Sequence, residues 1–539
     1  MAEMTGAEVL VNSLVQKGAD VIFGIPGIQI MELVDTVSRT EEIRWISPRH
    51  EQTTAYMAFG YSRTTGKTGV AMVVPGPGAL NASAAIGTAY AASTPLLLIA
   101  GQINRNGLYK NRGVLHEVTE QLDVFRPITK FCHRAMKTEE LPELLEKAFF
   151  ETESGRPRPV EIEIPWDLWK EKADIELKTE KREPAQTLDV KQIMQAAGLL
   201  ANAHHPVIWA GGGVITSDAS TELTSLAEKI KAPVVMTPEG KGAISGNNIL
   251  DGGVANFASN PILREADVLL CVGSRFVMGP MSSGVPSGTK VIQIDADTEE
   301  LGRNHKPEIG IIADAREALS SILDELKESG NSLWDGNAIN AIKDKIRSKQ
   351  REVIPIQMDI IQDIRDALPG ESILIPGVTN LGYWLPALYP VLKPRTFLTS
   401  SYFGTLGYAF PTALGAKIGN PDKPVVAVCG DGGFLFASGE LATAVQEGIN
   451  VIVIVFVDNA YGACLSFQRR DYDNRAEGTR LKNPDFAALA NSYGAKGVKL
   501  AHHSELKAAL QAALNENTPV LIEVPQPDLP FPWEVSLAV

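Results

Sequence analysis

The chain has 539 residues and a formal net charge of −14, with 44% hydrophobic and 21% charged residues. This balance is that of an ordinary folded protein, and it excludes a disordered chain, a collagen and a coiled coil. The negative charge argues against nucleic acid or an anionic membrane as a partner, so we expect neither. At roughly 100–200 residues per domain, the length predicts three domains.

The four cysteines are scattered along the chain without C-x-x-C spacing: Cys132, Cys271, Cys429 and Cys464. This pattern favours a reducing compartment over a disulfide scaffold or a zinc site. The first residues lack a basic segment followed by an apolar stretch, and the most apolar runs, such as 451–457, are far shorter than the ~20 residues that cross a bilayer. We therefore expect a cytoplasmic protein.

The first third of the chain alternates helical patterns with short apolar runs. It predicts helices at 7–17, 51–64 and 81–92 and strands at 21–23, 43–46, 70–74 and 96–100. Such alternation is typical of parallel strands that are buried on both faces. A charged stretch at 170–189, almost free of large apolar residues, predicts a linker.

Two further segments repeat this α/β plan. The second predicts strands at 206–210, 233–236, 268–272 and 291–294, and a polar stretch at 328–351 predicts a charged helix or a second linker. The third predicts strands at 424–428 and 451–457 with a helix at 437–447 between them. The chain contains no short-period repeat or low-complexity tract.

The strongest chemical signal lies in the third segment. Gly430-Asp431-Gly432 follows one strand, and Asp458-Asn459 follows the next. Parallel strands end at one edge of a sheet, so this spacing brings Asp431 and Asn459 together where open α/β sheets bind ligands. A carboxylate, an amide oxygen and a loop carbonyl suit Mg²⁺, and the glycines let the backbone approach a phosphate. The spacing thus predicts a site for magnesium and phosphate.

With several further motifs in the same order, the sequence resembles the thiamine-diphosphate-dependent enzymes, and most closely the acetolactate synthase group and its relatives. The family signature is Gly-Asp-Gly followed, one helix and one strand later, by Asn-Asn, and here Asp458 replaces the first Asn. The resemblance covers nearly the whole chain. It is carried by the segments 23–27, 49–52, 76–81, 127–130, 398–400, 404–407 and 483–486.

The resemblance implies that Glu51 is the catalytic glutamate. In these enzymes a carboxyl group bonded to N1′ of the aminopyrimidine favours the 4′-imino tautomer, which takes the proton from thiazolium C2. This exchange needs a pocket dry enough to raise the carboxyl pKa. Leu406 matches the apolar residue that bends the cofactor into a V shape. Asp431, Asn459 and the Tyr461 carbonyl match the Mg²⁺ ligands.

Other positions match cofactor contacts of the family. They are Pro26, Gly76 and Asn81 in the first segment, and Thr379, Asn380, Ser401, Tyr402, Gly404, Gly430, Gly432, Gly433 and Gly462 in the third. Two positions depart from the pattern. Gly433 stands where relatives often carry Ser, so a hydroxyl contact to phosphate is lost. Asp458 adds a charge near the diphosphate, and we expect its role to be structural.

The substrate determinants are weaker. The resemblance places Gln29 after the turn that faces the reacting carbon. His116 lies where relatives carry Gln or another polar residue, and it could move a proton, hold a carboxylate or lie on the surface. Phe467 and Ala463 fall in the substrate pocket, where biosynthetic acetolactate synthases carry Trp at the position of Phe467. Core packing is the alternative for Phe467.

The middle segment has Gly211-Gly212-Gly213 after one strand and Gly273-Ser274-Arg275-Phe276 after another. Some relatives bind FAD here, others bind ADP or CoA, and many bind nothing. Residues 277–279 lack the acidic pair and the Arg that are usual in FAD-binding acetolactate synthases, so the sequence does not favour FAD. A close packing turn is the alternative for the glycines.

The segments and the resemblance together predict an α/β protein of three doubly wound parallel-sheet domains. These are an aminopyrimidine-binding domain at 1–169, a Rossmann-like middle domain at 190–335 and a diphosphate- and Mg²⁺-binding domain at 356–539, with linkers at 170–189 and 336–355. In this family the two halves of each site come from different subunits. We therefore expect a homodimer or a dimer of dimers.

The expected reaction is decarboxylation of a 2-keto acid, first of all pyruvate, with carboligation to a second carbonyl compound as in acetolactate synthase. The motif at 163–168 keeps open a 2-keto acid decarboxylase or a C–C lyase like benzaldehyde lyase or 2-hydroxyacyl-CoA lyase. The segment 525–539 is short for a lid that would cover CoA, and this argues mildly against acyl-CoA substrates. A cofactor-binding paralogue that regulates a partner is the non-enzyme alternative, but Glu51 and both metal residues argue against it.

Overall fold

The computed structural model describes residues 2–177, 188–255, 260–277, 285–327 and 330–537. In these ranges the chain forms three α/β domains, each built on a parallel sheet, of six, six and five strands, and one short antiparallel pair. The predicted fold class is therefore confirmed. No helix in the described ranges is long and apolar enough to cross a membrane.

The N-terminal domain holds the first sheet, and its elements follow in chain order. They are β1 Ala2–Thr5, α1 Gly6–Gln16, β2 Val21–Gly24, α2 Met31–Ser38, β3 Arg44–Ile46, α3 Glu51–Thr65, β4 Gly69–Val73, α4 Pro77–Ala91, β5 Leu96–Gln102, α5 Gln121–Phe125, β6 Phe131–Arg134, α6 Leu141–Glu153, β7 Val160–Pro165 and β8 Lys172–Ile175. The sheet order is β3-β2-β4-β5-β7-β6, and β1 pairs with β8 separately.

The middle domain holds the second sheet. Its elements are α7 Val190–Ala201, β9 Pro206–Ala210, α8 Gly212–Thr216, α9 Ser220–Ile230, β10 Val234–Met236, β11 Asp251–Val254, α10 Pro261–Arg264, β12 Val268–Val272, β13 Lys290–Asp295, β14 Ile309–Ile312 and α11 Ala315–Glu325. The sheet order is β11-β10-β9-β12-β13-β14.

The C-terminal part holds the third sheet. Its elements are α12 Gly336–Val353, α13 Pro355–Ala367, β15 Ile373–Pro376, α14 Asn380–Leu388, α15 Ala409–Gly419, β16 Val425–Gly430, α16 Asp431–Leu435, α17 Glu440–Gln446, β17 Ile452–Val457, α18 Gly462–Asp471, α19 Phe486–Ser492, β18 Lys496–Lys499, α20 Leu506–Ala513 and β19 Val520–Pro525. The sheet order is β15-β16-β17-β19-β18.

Alternate residues of the central strands enter different cores. In β5, Leu96 and Leu98 belong to one core, while Leu97 and Ile99 belong to the other. A strand buried on both faces reads as a continuous apolar run. This is why the predicted strands are all present, with ends that differ by at most two residues.

Two helices differ from the prediction at their N-terminal ends. The helix predicted at 81–92 begins earlier, at Pro77, because proline is well tolerated in the first turn of a helix. The helix predicted at 437–447 is α17, and it is preceded by the short helix α16, which starts at Asp431 directly after β16. The glycine-rich turn is therefore the N-terminus of a helix.

Both predicted linkers contain regular structure. Residues 172–175 of the first form β8, which pairs antiparallel with β1 despite their charge; residues 178–187 lie outside the described ranges. The second is almost entirely the helix α12, whose N-cap Asp335 accepts a hydrogen bond from the backbone N–H of Ala338. The alternative of a charged helix is thus the correct one there.

The N-terminal and C-terminal domains share one core through α3 and α15. The two helices approach so closely that glycine is required on both. A Cβ atom on Gly60 would lie 2.0 Å from the carbonyl oxygen of Thr412, and one on Gly415 would lie 1.8 Å from that of Met57. Since α3 begins at Glu51, this contact fixes the predicted catalytic residue relative to the C-terminal sheet.

Candidate active site

Asp431 and Asn459 meet at the C-terminal edge of the third sheet. Asp431 follows β16, Asn459 follows the neighbouring strand β17, and the Asp431 Oδ2 accepts a 2.7 Å hydrogen bond from the Asn459 backbone N–H. Asn459 has a left-handed backbone, with φ of 54°, which asparagine tolerates better than most residues. The predicted spacing thus brings both side chains to one place.

A third polar side chain, that of Asn483, joins this pair. Its amide donates to the Asp431 Oδ2 at 2.7 Å and to the Asn459 Oδ1 at 3.2 Å. Sequence reasoning assigned no role to Asn483, although it opens one of the motifs that carry the family resemblance. It comes from the loop between α18 and α19, whose path no hydrophobic periodicity predicts.

The donor set at this edge fits Mg²⁺. It offers the Asp431 carboxylate and the Asn459 amide oxygen, and hard oxygen donors are what Mg²⁺ prefers. The carbonyl of Tyr461, the third predicted ligand, accepts a 3.0 Å hydrogen bond from the Leu465 backbone N–H. The described residues contain no group of three or more His, Cys, Asp or Glu side chains that could hold a metal. A magnesium ion here would therefore be bound by one carboxylate together with neutral oxygens.

Burial raises the pKa of the Asp431 carboxyl. Burial, together with the nearby Asp431 charge, raises the pKa of Asp458 to about 6. Asp458 Oδ1 accepts a 3.0 Å hydrogen bond from the Ala460 backbone N–H, and Gln526 Nε2 donates to its Oδ2 at 3.3 Å. These contacts agree with the structural role expected for Asp458.

Leu406 lies beside the glycine-rich turn. Its Cδ2 is the nearest atom, at 3.8 Å, to the position that a Cβ on Gly433 would take. A Cβ on Gly430 would lie 2.9 Å from the Thr379 Oγ1. A Cβ on Gly432 would lie 2.7 Å from a ring carbon of Tyr461. Space for a side chain in this turn thus exists at Gly433 and is absent at the other two glycines.

Four other predicted cofactor contacts, at Asn380, Ser401, Tyr402 and Gly404, lie away from this cluster. The Asn380 amide donates to the carbonyls of Leu529 and Pro530, at 2.9 and 3.2 Å, and its buried Oδ1 has no hydrogen-bond partner within the described ranges. Ser401 and Tyr402 line a cavity of about 620 Å³ between the three domains. Gly404, which also lines this cavity, has a left-handed φ of 61°.

Glu51 is the first residue of α3, and it is partly buried. Its Oε2 accepts a 2.9 Å hydrogen bond from the Asn81 side-chain amide, which comes from α4. His50 caps the same helix by accepting a hydrogen bond from the Gln52 backbone N–H. The Glu51 carboxylate is thus oriented by one predicted cofactor residue, Asn81, and its other oxygen accepts no hydrogen bond within the described ranges.

Gln29, Gly76 and His116 lie together in the N-terminal domain. Gln29 Nε2 donates to the Leu115 carbonyl at 3.4 Å, and the His116 carbonyl lies 2.6 Å from where a Cβ on Gly76 would stand. Gly76 has a left-handed φ of 62°, so glycine is required there. Gln29 Oε1 and His116 Nδ1 are both buried, and neither has a hydrogen-bond partner among the described residues.

A buried polar network that sequence reasoning missed lies behind this cluster. The Gly76 backbone N–H donates to Gln121 Oε1 at 2.7 Å, and Gln121 Nε2 donates to Glu163 at 3.1 Å. Arg134 Nε donates to the other oxygen of Glu163 at 2.5 Å. The neighbouring Glu161 is fully buried and accepts no hydrogen bond from the part of the chain that the structure describes, and burial raises the pKa of its carboxyl well above the ordinary value. The network anchors the strained Gly76 turn.

Phe467 packs in an aromatic stack with the C-terminal segment. Its ring lies parallel to that of Trp533 at 5.1 Å, and Trp533 stacks on Phe531 at 4.8 Å. Trp533 Nε1 also donates to Ser466 Oγ at 2.9 Å. Phe467 is still 39% exposed, so packing and a pocket-lining role are both compatible with its position. Ala463 lies one turn earlier on α18.

The two glycine turns of the middle domain pack against each other. A Cβ on Gly213 would stand 2.5 Å from the Gly273 Cα, and one on Gly211 would stand 2.2 Å from the Gly273 carbonyl oxygen. Next to them, the Arg275 guanidinium lies over the Tyr402 ring at 4.2 Å. The packing alone requires these glycines, so they carry no argument for FAD. Residues 278 and 279, which entered the prediction against FAD, lie outside the described ranges.

The thiamine pyrophosphate enzymes match this chain in all three domains. Their N-terminal TPP binding domain matches residues 4–124, their central domain matches 193–322, and their C-terminal TPP binding domain matches 377–524.

Curated relatives align with the chain over nearly their whole length. A probable acetolactate synthase large subunit of Methanocaldococcus jannaschii is 34% identical, over 97% of this chain and 92% of that protein. An acetolactate synthase large subunit of Haemophilus influenzae is 31% identical, over 97% and 95%. A probable 2-ketoarginine decarboxylase of Pseudomonas aeruginosa is 32% identical, over 97% and 94%. The chain therefore belongs to the thiamine-diphosphate-dependent enzymes, in their acetolactate synthase-like group, and uses that cofactor to form or cleave C–C bonds.

Proposed function

We propose that the protein decarboxylates a 2-keto acid, first of all pyruvate, and joins the remaining acyl carbon to a second carbonyl compound, as an acetolactate synthase does. The observation that carries this proposal is the cluster of Asp431, Asn459 and Asn483 at the sheet edge, beside Leu406 and the open position at Gly433. The cluster suits Mg²⁺ and a diphosphate. The relatives named acetolactate synthase support the choice of reaction.

The residues have separate tasks in this proposal. When bound, thiamine diphosphate would supply a nucleophilic carbon that adds to the keto group and a cationic thiazolium ring that accepts the electron pair left behind when CO₂ departs. Glu51, oriented by Asn81, would hold a proton at the pyrimidine ring. Gln29 and His116 each present a buried polar atom without a protein partner, so they would bind the substrate and move protons at its oxygen atoms.

We also propose that each site is shared between two subunits of a homodimer, or of a dimer of dimers. Large apolar side chains are exposed beside both halves of the site. Leu80 and Leu115 flank the N-terminal half and are 42% and 63% exposed, and Tyr402 and Phe436 flank the C-terminal half and are 60% and 58% exposed. A second subunit would cover such surfaces.

The four cysteines are free, so we place the enzyme in the reducing cytoplasm.

A 2-keto acid decarboxylase is the second candidate. The relative named 2-ketoarginine decarboxylase favours it, since its identity to this chain is close to that of the synthases. The two activities share the loss of CO₂ and differ in what the remaining carbon does next. It attacks a carbonyl compound in the first activity and takes a proton in the second.

Proton NMR of pyruvate with the protein, thiamine diphosphate and Mg²⁺ tests the proposal. We expect acetolactate or acetoin from the natural chain and neither from Glu51→Gln. Glu41→Gln is the matched control, because Glu41 is an exposed glutamate of the same domain. Acetaldehyde as the sole product would assign the decarboxylase instead. No consumption of pyruvate would exclude it as donor, and the same assay with a 2-keto acid that carries a guanidinium group would then follow.

A further inference from the structure

A second large cavity lies between the middle domain and the C-terminal domain, away from the residues of the candidate active site. Its volume is about 720 Å³, which is within the range of sites that hold small organic ligands. Its walls come from β11, from one face of α12, from α13 and from the C-terminal end of α14.

Lys241 is buried in the wall of this cavity. The residue is only 6% exposed, and within the described ranges its ammonium group makes no hydrogen bond or ion pair. Its Nζ lies over the Phe397 ring, 5.6 Å from the ring centroid. The nearest negative charge is Asp251, which acts on Lys241 from beyond ion-pair distance. A buried ammonium without a directly paired anion is costly, because burial removes its hydration. This cost is compensated if a ligand supplies the missing anion.

The helix α12 turns a basic stripe towards the same cavity. Lys343 and Arg347 are one turn apart and both line it, and neither forms an ion pair within the described ranges. Arg351, one turn further on, is already paired with Asp359. Asp251 is the one acidic group that acts on both Lys241 and Lys343 within the described ranges, so the cations of this wall are only partly balanced and repel one another. This positive wall belongs to a chain whose net charge is −14.

The acidic residues of the cavity are too few to balance these cations. Asp251 accepts a 2.9 Å hydrogen bond from the Gly253 backbone N–H, and Asp344 is exposed at the rim. The rest of the lining includes apolar surface from Met358, Trp384 and Leu388. The cavity therefore offers a site for an anionic group next to a site for an apolar body.

We propose that this cavity binds a small organic anion, with its carboxylate or phosphate group held by Lys241, Lys343 and Arg347 and its apolar part packed against Trp384. This cavity is separate from the candidate thiamine diphosphate site. Binding of an anion here therefore does not depend on which reaction the enzyme catalyses. Carboxylate and phosphate share the chemistry that these cations recognise.

Calorimetric titration of the holoenzyme, saturated with thiamine diphosphate and Mg²⁺, tests the proposal. The probes are hexanoate and hexyl phosphate, which share one apolar tail and distinguish the two anionic groups, with hexanol as the neutral counterpart. We expect at least one anion to bind and hexanol to bind at least about tenfold more weakly. Lys241→Met and Lys343→Met should each weaken the anion by at least about tenfold, the effect of one lost charge-assisted contact.

Lys345→Met is the matched control. Lys345 lies on the same helix, is exposed and does not line the cavity, so its loss should leave the affinity unchanged. Circular dichroism and the thermal midpoint of each variant report whether it is folded. Three results would overturn the proposal: neither anion binds at millimolar concentration, hexanol binds as tightly as the anions, or folded Lys241→Met and Lys343→Met bind them as the natural chain does.

Discussion

At the scale of single residues, Gly433, where the resemblance implies Ser in many relatives, has room for a side chain. The position of a Cβ on Gly433 has no atom nearer than 3.8 Å, so Gly433→Ser introduces a hydroxyl group without a clash. Since it would donate to the diphosphate, we expect the Kd for thiamine diphosphate to fall about 2- to 10-fold, equivalent to ~0.5–1.5 kcal/mol. Fluorescence titration of the apoprotein with the cofactor measures this.

The neighbouring glycine provides the control for that substitution. A Cβ on Gly432 would stand 2.7 Å from a ring carbon of Tyr461 and 3.0 Å from Leu481 Cδ1. Gly432→Ser should therefore weaken cofactor binding while adding the same hydroxyl group. Weaker binding by Gly433→Ser than by the natural chain would show that the hydroxyl does not reach the diphosphate.

Lys241 gives the stability of the protein a particular pH dependence. Burial lowers the pKa of Lys241 to about 8, although the charge of Asp251 opposes this. Between this value and the ordinary pKa near 10.5, the unfolded chain holds more protons than the folded chain. Stability should therefore rise with pH across this window, by up to ~1.4 kcal/mol per pH unit from this group. Below about pH 8 the contribution is constant.

The contribution of Lys241 is measured by urea unfolding at pH 8, 9 and 10. The free energy of unfolding of the natural chain is compared with that of Lys241→Met at each pH. The difference in unfolding free energy between the two should change with pH, because the variant lacks the titrating group. Lys345→Met, which removes an exposed lysine, should show no such change. A constant difference for Lys241→Met would mean that this amine titrates alike in the folded and unfolded chains.

At the scale of elements, the sequence analysis predicted ten of the nineteen strands in the described ranges, and it did not predict the paths of the loops. The central strands read as apolar runs because both faces are buried, and their ends were predicted closely. The strand Val160–Pro165 was not predicted, and its alternation is typical of a strand with one solvated face, yet all six residues are buried. Arg134 pairs with Glu163, whereas Glu161 accepts no hydrogen bond within the described ranges. Asn483 was missed because its loop has no periodicity, and only tertiary contacts bring it to Asp431.

The contact between α3 and α15 predicts the result of a simple substitution. Alanine is favoured over glycine inside a helix by ~0.5–1 kcal/mol, but a Cβ on Gly415 would stand 1.8 Å from the Met57 carbonyl oxygen. The clash outweighs the helix propensity, so Gly415→Ala should destabilise the protein by about 1–3 kcal/mol. The urea or thermal midpoint measures it.

Gly198 offers the matched comparison in α7. A Cβ there would have nothing within 4 Å, so Gly198→Ala should keep the helix-propensity gain and stabilise by ~0.5–1 kcal/mol. Equal effects of the two alanines would mean that α3 and α15 separate easily, and that the core shared by the two domains is not rigid.

At the scale of the whole molecule, the main question is whether one chain or two chains build each site. Glu51 and Asp431 are joined to one shared core through α3 and α15, while the apolar side chains beside both half-sites remain exposed. An interface between two identical subunits contains each half-site twice. A subunit with a defective N-terminal half could then be complemented by one with a defective C-terminal half.

Two differently tagged chains, one with Glu51→Gln and one with Asp431→Ala, can be co-expressed and purified through both tags. Each variant alone should be inactive. If the halves of a site come from different subunits, one site of the mixed dimer carries both substitutions and the other carries neither. The mixed dimer should then have about half the activity per dimer of the natural enzyme, since one of its two symmetry-related sites is intact. If each chain builds its own site, every site in the mixed dimer carries one substitution, and no activity should appear.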